Sequence, residues 1–175
     1  MENSVKSISS TYGIYLGIIL SLFTVVAYVV DLSLLTKFWF GILSMIVLII
    51  VAIIAVRSTK KQYSGIFSFK NAFTAYFITI LIGMSISTLV SILIFNFVDP
   101  QSADTVKELT IDASRQMMEN FGATESEINE ALSKMEDSNQ LSIINLLKSF
   151  VFSLAFLSLI GLIIALIFRE KEPIN

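Results

Sequence analysis

The sequence predicts an all-α membrane protein: a four-helix transmembrane bundle with an extracytoplasmic amphipathic helical hairpin between spans three and four. Hydrophobic residues make up 55% of the 175 residues and charged residues only 15%, whereas soluble domains are about 25% charged. A helix rises about 1.5 Å per residue, so roughly 20 apolar residues cross the ~30 Å hydrocarbon layer of a bilayer. Four stretches of this kind contain no Asp, Glu, Lys or Arg: residues 7–30, 38–56, 71–98 and 149–168.

The first two spans are predicted at residues 12–30 and 38–56, joined by a short hairpin at residues 31–37. Lys6 is the only early cation, and the first apolar run is longer than the roughly 7–15 residues of a signal-peptide core. No small-residue cleavage pattern follows it, so we expect a retained signal anchor.

The third and fourth spans are predicted at residues 71–98 and 146–168 within a single membrane domain of residues 1–175. The third run is longer than the hydrocarbon layer requires, so it should tilt or project from the layer. Pro100 should end it, because the residue before a proline is pushed out of the helical region. Lys148 is expected to extend its ammonium from the start of the fourth span to the interface.

Residues 99–140 predict a helical hairpin outside the membrane. Asp99 can cap a helix that has Pro100 at its first position, and Gly122 suits its end. Thr124 and Glu127 form a capping box that opens a second helix. Apolar residues recur at helical spacing on both helices. This possible partner face comprises Val106, Leu109, Ala113, Met117 and Phe121 on the first helix, and Ile128, Ala131, Leu132 and Met135 on the second.

The apolar face of the hairpin must be buried against something. The alternatives are the outer ends of the spans, the lipid interface, a second copy of the chain, or a foreign partner. Packing within the chain or in a homo-oligomer is favoured over a foreign partner. Residues 99–137 contain ten acidic and three basic residues, a net charge of −7, which argues against adhesion to anionic lipid.

The Lys and Arg residues predict the orientation, because cytoplasmic ends of spans are enriched in them. Both termini and the basic connector of residues 57–70 should be cytoplasmic, and residues 31–37 and 99–145 should face outward. We interpret the connector as a topology determinant, with a phospholipid headgroup site as the alternative. The inner set is Lys6, Arg57, Lys60, Lys61, Lys70, Arg169 and Lys171; the outer set is Lys37 and Lys148, with Lys107, Arg115 and Lys134 farther out.

The composition excludes several kinds of chemistry. With no Cys and no His, no disulfide, thiolate nucleophile or Cys/His metal site can form. There is no Walker loop and no nucleophile elbow, and the spans lack the ionisable residues that mark proton routes. We therefore expect no enzymatic activity, no cofactor, no bound metal and no nucleic-acid partner.

Small residues form ridges on the spans. Such a ridge lets another helix approach closely, and this interpretation is favoured over a polar permeation path. The ridge on span three is Ala75, Thr79, Gly83, Ser87 and Ser91; span four has an interrupted ridge of Ser149, Ser153, Gly161 and Ala165; and span one opens with Gly13 and Gly17.

Several segments resemble a known family. They are residues 68–73 at the start of span three, Asp99 with Pro100 at its end, residues 122–128 in the hairpin, and residues 160–167 before a tail with Pro173. The chain looks like a Gram-negative bacterial family of small four-span membrane proteins known only as a domain of unknown function. The resemblance implies the architecture and an inner-membrane location, and it supplies no catalytic or ligand residues.

Three functional hypotheses follow. The first is a non-enzymatic inner-membrane protein that works by association, as a homo-oligomer or an accessory subunit, with the lipid bilayer and other membrane proteins as its partners. The second is a small passive channel or transporter for a small solute. The third, a lipid-modifying enzyme, lacks an interfacial carboxylate pair. The channel hypothesis would use the polar side chains Thr79, Ser87, Ser91 and Asn96.

Overall fold

The computed structural model describes residues 2–136 and 139–170, and over these residues the chain forms helices and no strand. The predicted all-α class is therefore confirmed. Lys171 and Pro173 of the tail, and Asp137 in the hairpin, lie outside the described residues. The elements are α1 (Glu2–Val30), a 3₁₀ turn (Leu32–Thr36), α2 (Phe38–Gln62), α3 (Phe69–Leu93) with a π-helical continuation (Ile94–Val98), α4 (Pro100–Asn120), α5 (Glu125–Glu136) and α6 (Ile143–Phe168).

Within the described residues, four helices are long and apolar enough to cross a membrane: Ser4–Val30, Phe38–Gln62, Phe69–Val98 and Ile143–Phe168. The chain is thus a multi-pass membrane protein with the four spans that the charge-free stretches predict. α2 continues beyond the predicted span and has Lys60 and Lys61 in its last turn, where cations interact favourably with the negative end of the helix dipole.

α3 is the central helix of the bundle. It contacts α1 most extensively and also packs against α6 and α2, whereas α2 and α6 make little contact with each other. Leu16, Ala52, Ala75, Tyr76 and Leu157 belong to one buried cluster that joins the four helices. Large apolar side chains on the periphery are exposed, as expected where lipid rather than water surrounds the helices.

One end of the bundle, here called the connector end, carries the loop between α2 and α3. Glu170, which follows α6, contacts this loop. Its backbone N–H donates to the Phe67 carbonyl oxygen (2.9 Å), and its carboxylate accepts from the Phe67 N–H (3.0 Å). Lys60 donates to the Phe168 carbonyl oxygen (3.0 Å) and pairs with Glu170 (3.2 Å). The hydrogen bond from the Phe67 N–H, with that from Lys60, lowers the pKa of Glu170. These contacts tie the ends of α2 and α6 together.

The opposite end, here called the hairpin end, begins where α3 stops. The π-helical turn closes with the Asp99 N–H donating to the Ile94 carbonyl oxygen (2.8 Å). Asp99 then caps α4, accepting hydrogen bonds from the hydroxyl and the N–H of Ser102, which lower its pKa. Tyr28 of α1 donates to the same carboxylate (3.2 Å). The predicted cap, with Pro100 at the first helical position, is present.

α4 and α5 form the predicted helical hairpin. Gly122 has a φ of +77°, and the Ala123 N–H donates to the Met118 carbonyl oxygen (3.0 Å), a Schellman ending that favours glycine. Thr124 and Glu127 exchange the hydrogen bonds of the predicted capping box. The Thr124 N–H lowers the pKa of the Glu127 carboxyl. α5 returns along α4.

Candidate functional site

The structure divides the predicted ridge of α3 into two parts. At the connector half, Ala75, Thr79 and Gly83 are buried. The Thr79 hydroxyl lies within hydrogen-bond distance of the Ala75 carbonyl oxygen (2.8 Å) and of the Ser9 carbonyl oxygen on α1 (3.2 Å). This part of the ridge is used for contact between helices of the same chain.

Glycines permit the close approach of α1 and α3. A Cβ on Gly83 would lie 2.6 Å from the Leu16 Cγ, and a Cβ on Gly13 would lie 2.8 Å from the Ile82 Cβ. Both distances are well below the ~3.5–4.0 Å of carbon–carbon contact. Each helix thus supplies a glycine that receives a branched side chain of the other.

The same arrangement joins α6 to α3. Gly161 faces the ring of Tyr76, so a Cβ at Gly161 would lie 2.4 Å from the Tyr76 Cδ1. The Tyr76 hydroxyl donates to the Leu157 carbonyl oxygen (3.1 Å). Ala165, the other buried member of the predicted ridge on α6, is completely buried. The connector half is therefore closely packed along the α1–α3 and α3–α6 contacts.

The other ridge residues of α3, Ser87 and Ser91, are half-buried and line recesses. The first recess has a volume of about 380 Å³ and separates α2 from α6. Its mouth holds Met45, Phe152 and Phe156, which are exposed on the surface of the bundle within the candidate spans of α2 and α6. The lining residues are Leu20, Ser44, Met45, Leu48, Met84, Ser87, Thr88, Phe152, Ser153, Phe156 and Leu157.

The second recess, of about 340 Å³, lies nearer the hairpin end than the first and beneath α4. Leu20 and Thr24 on α1, and Ser87 and Ser91 on α3, are one helical turn apart and line successive recesses. Among the described residues, Lys107 is the one charged side chain in this lining. The full lining is Thr24, Leu35, Thr36, Ser91, Phe95, Ala103, Val106, Lys107, Thr110, Gln140 and Leu141.

A third recess, of about 280 Å³, lies where α6 begins and is lined by Gln140, Asn145, Lys148 and Ser149. It shares Gln140 with the second recess, so this side chain lines both the recess that contains Lys107 and the recess that contains Lys148. We call these three recesses together the lateral cleft. Its lining changes from largely apolar in the middle of the bundle to entirely polar at the surface.

The predicted partner face of the hairpin is partly covered by the chain itself. Val106, Ile128 and Leu132 are buried, while Leu109, Ala113 and Met135 are half-buried. Val106 packs in a cluster with Ala103, Ile94 and Phe95. Only the tip of this face lies open: Met117 is 49% and Phe121 is 85% exposed.

Asn96, named for the channel hypothesis, is half-buried and donates to the Leu141 carbonyl oxygen (2.9 Å). It therefore fixes the segment that leads into α6. Of the four channel candidates, Ser87 and Ser91 line the cleft, while Thr79 lies in the contact with α1. Within residues 2–136 and 139–170, no three or more His, Cys, Asp or Glu side chains are grouped as a metal site requires.

Sequence reasoning missed the walls of the cleft. Ser44 and Met45 lie in an unbroken apolar run, and the run contains no signal that distinguishes a cleft from a lipid-facing surface. Lys107 and Gln140 lie in a polar region where many side chains have similar character. Ser153 belongs to the interrupted ridge on span four, so its small size alone indicated a special position.

Four spans around a central small-residue helix, with a helical hairpin at one end, define a multi-pass α-helical membrane protein. The chain belongs to DUF4199, a family described as a protein of unknown function, whose model matches residues 11–170. The resemblance to a membrane-protein family of unknown function is thus confirmed. No curated protein and no solved structure shows significant similarity to the chain.

Proposed function

We propose that this protein is a non-enzymatic component of a bacterial inner membrane that works by associating with other membrane components through its hairpin half. The observation that carries the proposal is the asymmetry of the bundle. Glycine-based contacts close the connector half, whereas the lateral cleft and the exposed tip of the hairpin both belong to the hairpin half. A surface of this kind is suited to binding rather than to conducting a solute from one side to the other.

We further propose that the connector end is cytoplasmic and the hairpin periplasmic. In support, Arg57, Lys60, Lys61 and Lys70 lie in or beside the connector, and cytoplasmic loops carry an excess of such residues. The inner-membrane location rests on the family resemblance.

The orientation is testable because the chain has no cysteine. Single variants Ser64→Cys, in the connector, and Ser126→Cys, in the hairpin, each place a thiol at an exposed position. In spheroplasts, a membrane-impermeant maleimide should label Ser126→Cys and spare Ser64→Cys until the membrane is opened. The reverse pattern would place the hairpin in the cytoplasm and contradict the proposal.

Association is tested at the tip of the hairpin. Native gel electrophoresis of gently solubilised membranes should show the 19.5 kDa chain in a larger complex, and Phe121→Ser should dissociate it. Ile66→Ser is the control, since Ile66 is 44% exposed but lies in the loop between α2 and α3, at the connector end. A complex equally sensitive to both substitutions, or a chain that migrates alone, would contradict association through the hairpin.

The second candidate function is a small passive channel, because Ser87 and Ser91 line the cleft and hydroxyl groups can line a pore. Reconstituted liposomes distinguish the two functions. Association predicts that ion and small-solute flux matches that of empty liposomes. Flux that depends on the protein and is lost in Ser87→Leu would support the channel and overturn the first proposal.

A further inference from the structure

We infer that the lateral cleft holds one phospholipid, with its phosphate beside Lys107 and Lys148 and an acyl chain between α2 and α6. The inference deepens the proposed function, on which it rests, by naming the membrane component that occupies the cleft.

The polarity of the cleft matches that of a phospholipid at the corresponding depth. The recess between α2 and α6 is lined mainly by Leu, Met and Phe side chains, and its exposed residues Met45, Phe152 and Phe156 lie within candidate membrane spans. The second recess adds four hydroxyls, a lysine and an amide, and the third contains only polar side chains. A phospholipid in the surrounding leaflet has the same order of polarity. Its acyl chain would lie in the apolar recess, its ester groups in the second recess and its phosphate at the polar outer end.

The charges of the hairpin half favour a phosphate at the outer end of the cleft. Residues 99–137 carry a net charge of −7, yet among the residues that the structure describes, the charged side chains that line the recesses are Lys107 and Lys148. Lys107 donates one hydrogen bond to the Glu136 carbonyl oxygen, and an ammonium has three donors. It can therefore bind a phosphate oxygen without losing that bond.

The size of the cleft argues against a transmembrane helix of another protein. A helix about 10 Å wide with a 5.4 Å pitch fills about 400 Å³ per turn, so the recess of about 380 Å³ between α2 and α6 would hold about one turn. α4 also covers the second recess, where a spanning helix would have to pass. An acyl chain is much thinner and its lipid ends at the headgroup, beneath α4.

The hydroxyl groups of the inner recess are compatible with an apolar occupant. The Ser44 hydroxyl donates to the Phe40 carbonyl oxygen (2.9 Å). The hydroxyls of Ser87, Thr88 and Ser153 donate to no acceptor in the described part of the chain. Each can turn to the carbonyl one helical turn earlier, as Ser and Thr do in membrane helices.

Native mass spectrometry of the purified full chain in mild detergent tests the inference, with defined lipids as probes. One phosphatidylethanolamine should remain bound per chain. Diacylglycerol with the same acyl chains should be retained at least about tenfold less, because it lacks the phosphate. Millimolar inorganic phosphate should not displace the lipid. Equal retention of diacylglycerol, displacement by phosphate, or a lipid-free dimer in place of the lipid-bound chain would each overturn the inference.

Matched variants locate the bound lipid. Lys107→Gln should lower phosphatidylethanolamine retention about tenfold, since a charge-assisted hydrogen bond is lost. Lys134→Gln is its control, because the exposed Lys134 side chain pairs with Glu130 of the same helix (2.9 Å) and lines none of the recesses. Ser153→Leu should fill the inner recess and reduce retention, whereas Ala155→Leu, at an exposed position on the same helix, should not. Equal effects of a variant and its control would contradict a specific cleft.

The two proposals fail separately. If the purified chain retains no phospholipid but its larger complex in membranes still depends on Phe121, the lipid inference fails and association stands. If phospholipid is retained and the chain migrates alone, association through the hairpin tip fails while the cleft keeps its ligand.

Discussion

Replacing Gly83 by alanine tests the packing of α1 against α3, on which the closed connector half depends. The new Cβ would lie 2.6 Å from both Cγ and Cδ2 of Leu16 and 2.9 Å from its Cβ. These distances are about 1 Å shorter than normal contact. Leu16 is completely buried, and its Cβ is fixed by the backbone. The clash can therefore be relieved only if the two helices move apart.

The magnitude follows from two opposing terms. Overpacking a close contact costs about 1–3 kcal/mol, while alanine gains about 1 kcal/mol over glycine in a helix. Gly41 of α2 isolates the packing cost, because it is exposed and no atom lies within 4 Å of its Cβ position. Gly83→Ala should therefore be about 1–3 kcal/mol less stable than Gly41→Ala, the propensity gain being common to both variants.

The assay is unfolding of the purified protein in mixed micelles by titration with a denaturing detergent, followed by circular dichroism. Gly161→Ala provides an independent case, since its Cβ would lie 2.5 Å from the Tyr76 Cε1. Gly83→Leu, with a larger side chain, should lose the α1–α3 contact altogether. Equal free energies of unfolding for Gly83→Ala and Gly41→Ala would refute the packing argument.

Two further perturbations test the ends of the bundle. The lowered pKa of Glu170 means that its contribution to stability is fully present above its ordinary pKa of 4.5 and is lost as the pH falls through the lowered value. The free energy of unfolding of the wild-type protein, measured from neutral to acidic pH, should show this loss. Glu170→Gln weakens the contacts with Lys60 and Phe67, so its free energy of unfolding should lack this part of the pH dependence. Identical pH profiles for the two proteins would contradict the linkage. Asn96→Ala leaves the Leu141 carbonyl without its donor and should lower the free energy of unfolding by about 1 kcal/mol. Amide hydrogen exchange at the start of α6 should become faster. Unchanged exchange there would show that this bond does not fix the segment.

The features that sequence alone revealed are those governed by local physics. A charge-free stretch crosses lipid whatever its neighbours are, because the backbone satisfies its own hydrogen bonds within the helix. Caps are similarly local: Asp99, Gly122 and the pair Thr124 with Glu127 act within a few residues of their own position. The small-residue ridges could also be recognised, since close approach of helices requires small side chains.

The assignment of each ridge to a neighbour required the tertiary structure. Ala75, Thr79 and Gly83 are buried, whereas Ser87 and Ser91 on the same ridge line a cleft. The difference arises because α2 and α6 make little contact with each other. No residue type on α3 determines whether its neighbours close over it.

The sequence by itself determined the four spans, the hairpin, its caps and its acidic character, because each depends on interactions between residues close along the chain. The tertiary structure alone decided which apolar faces meet, which remain toward lipid, and where the cleft opens. The physical reason is that lipid is as apolar as the interior of the bundle. A span that is apolar on all sides carries no polar stripe to show which of its faces is covered by protein.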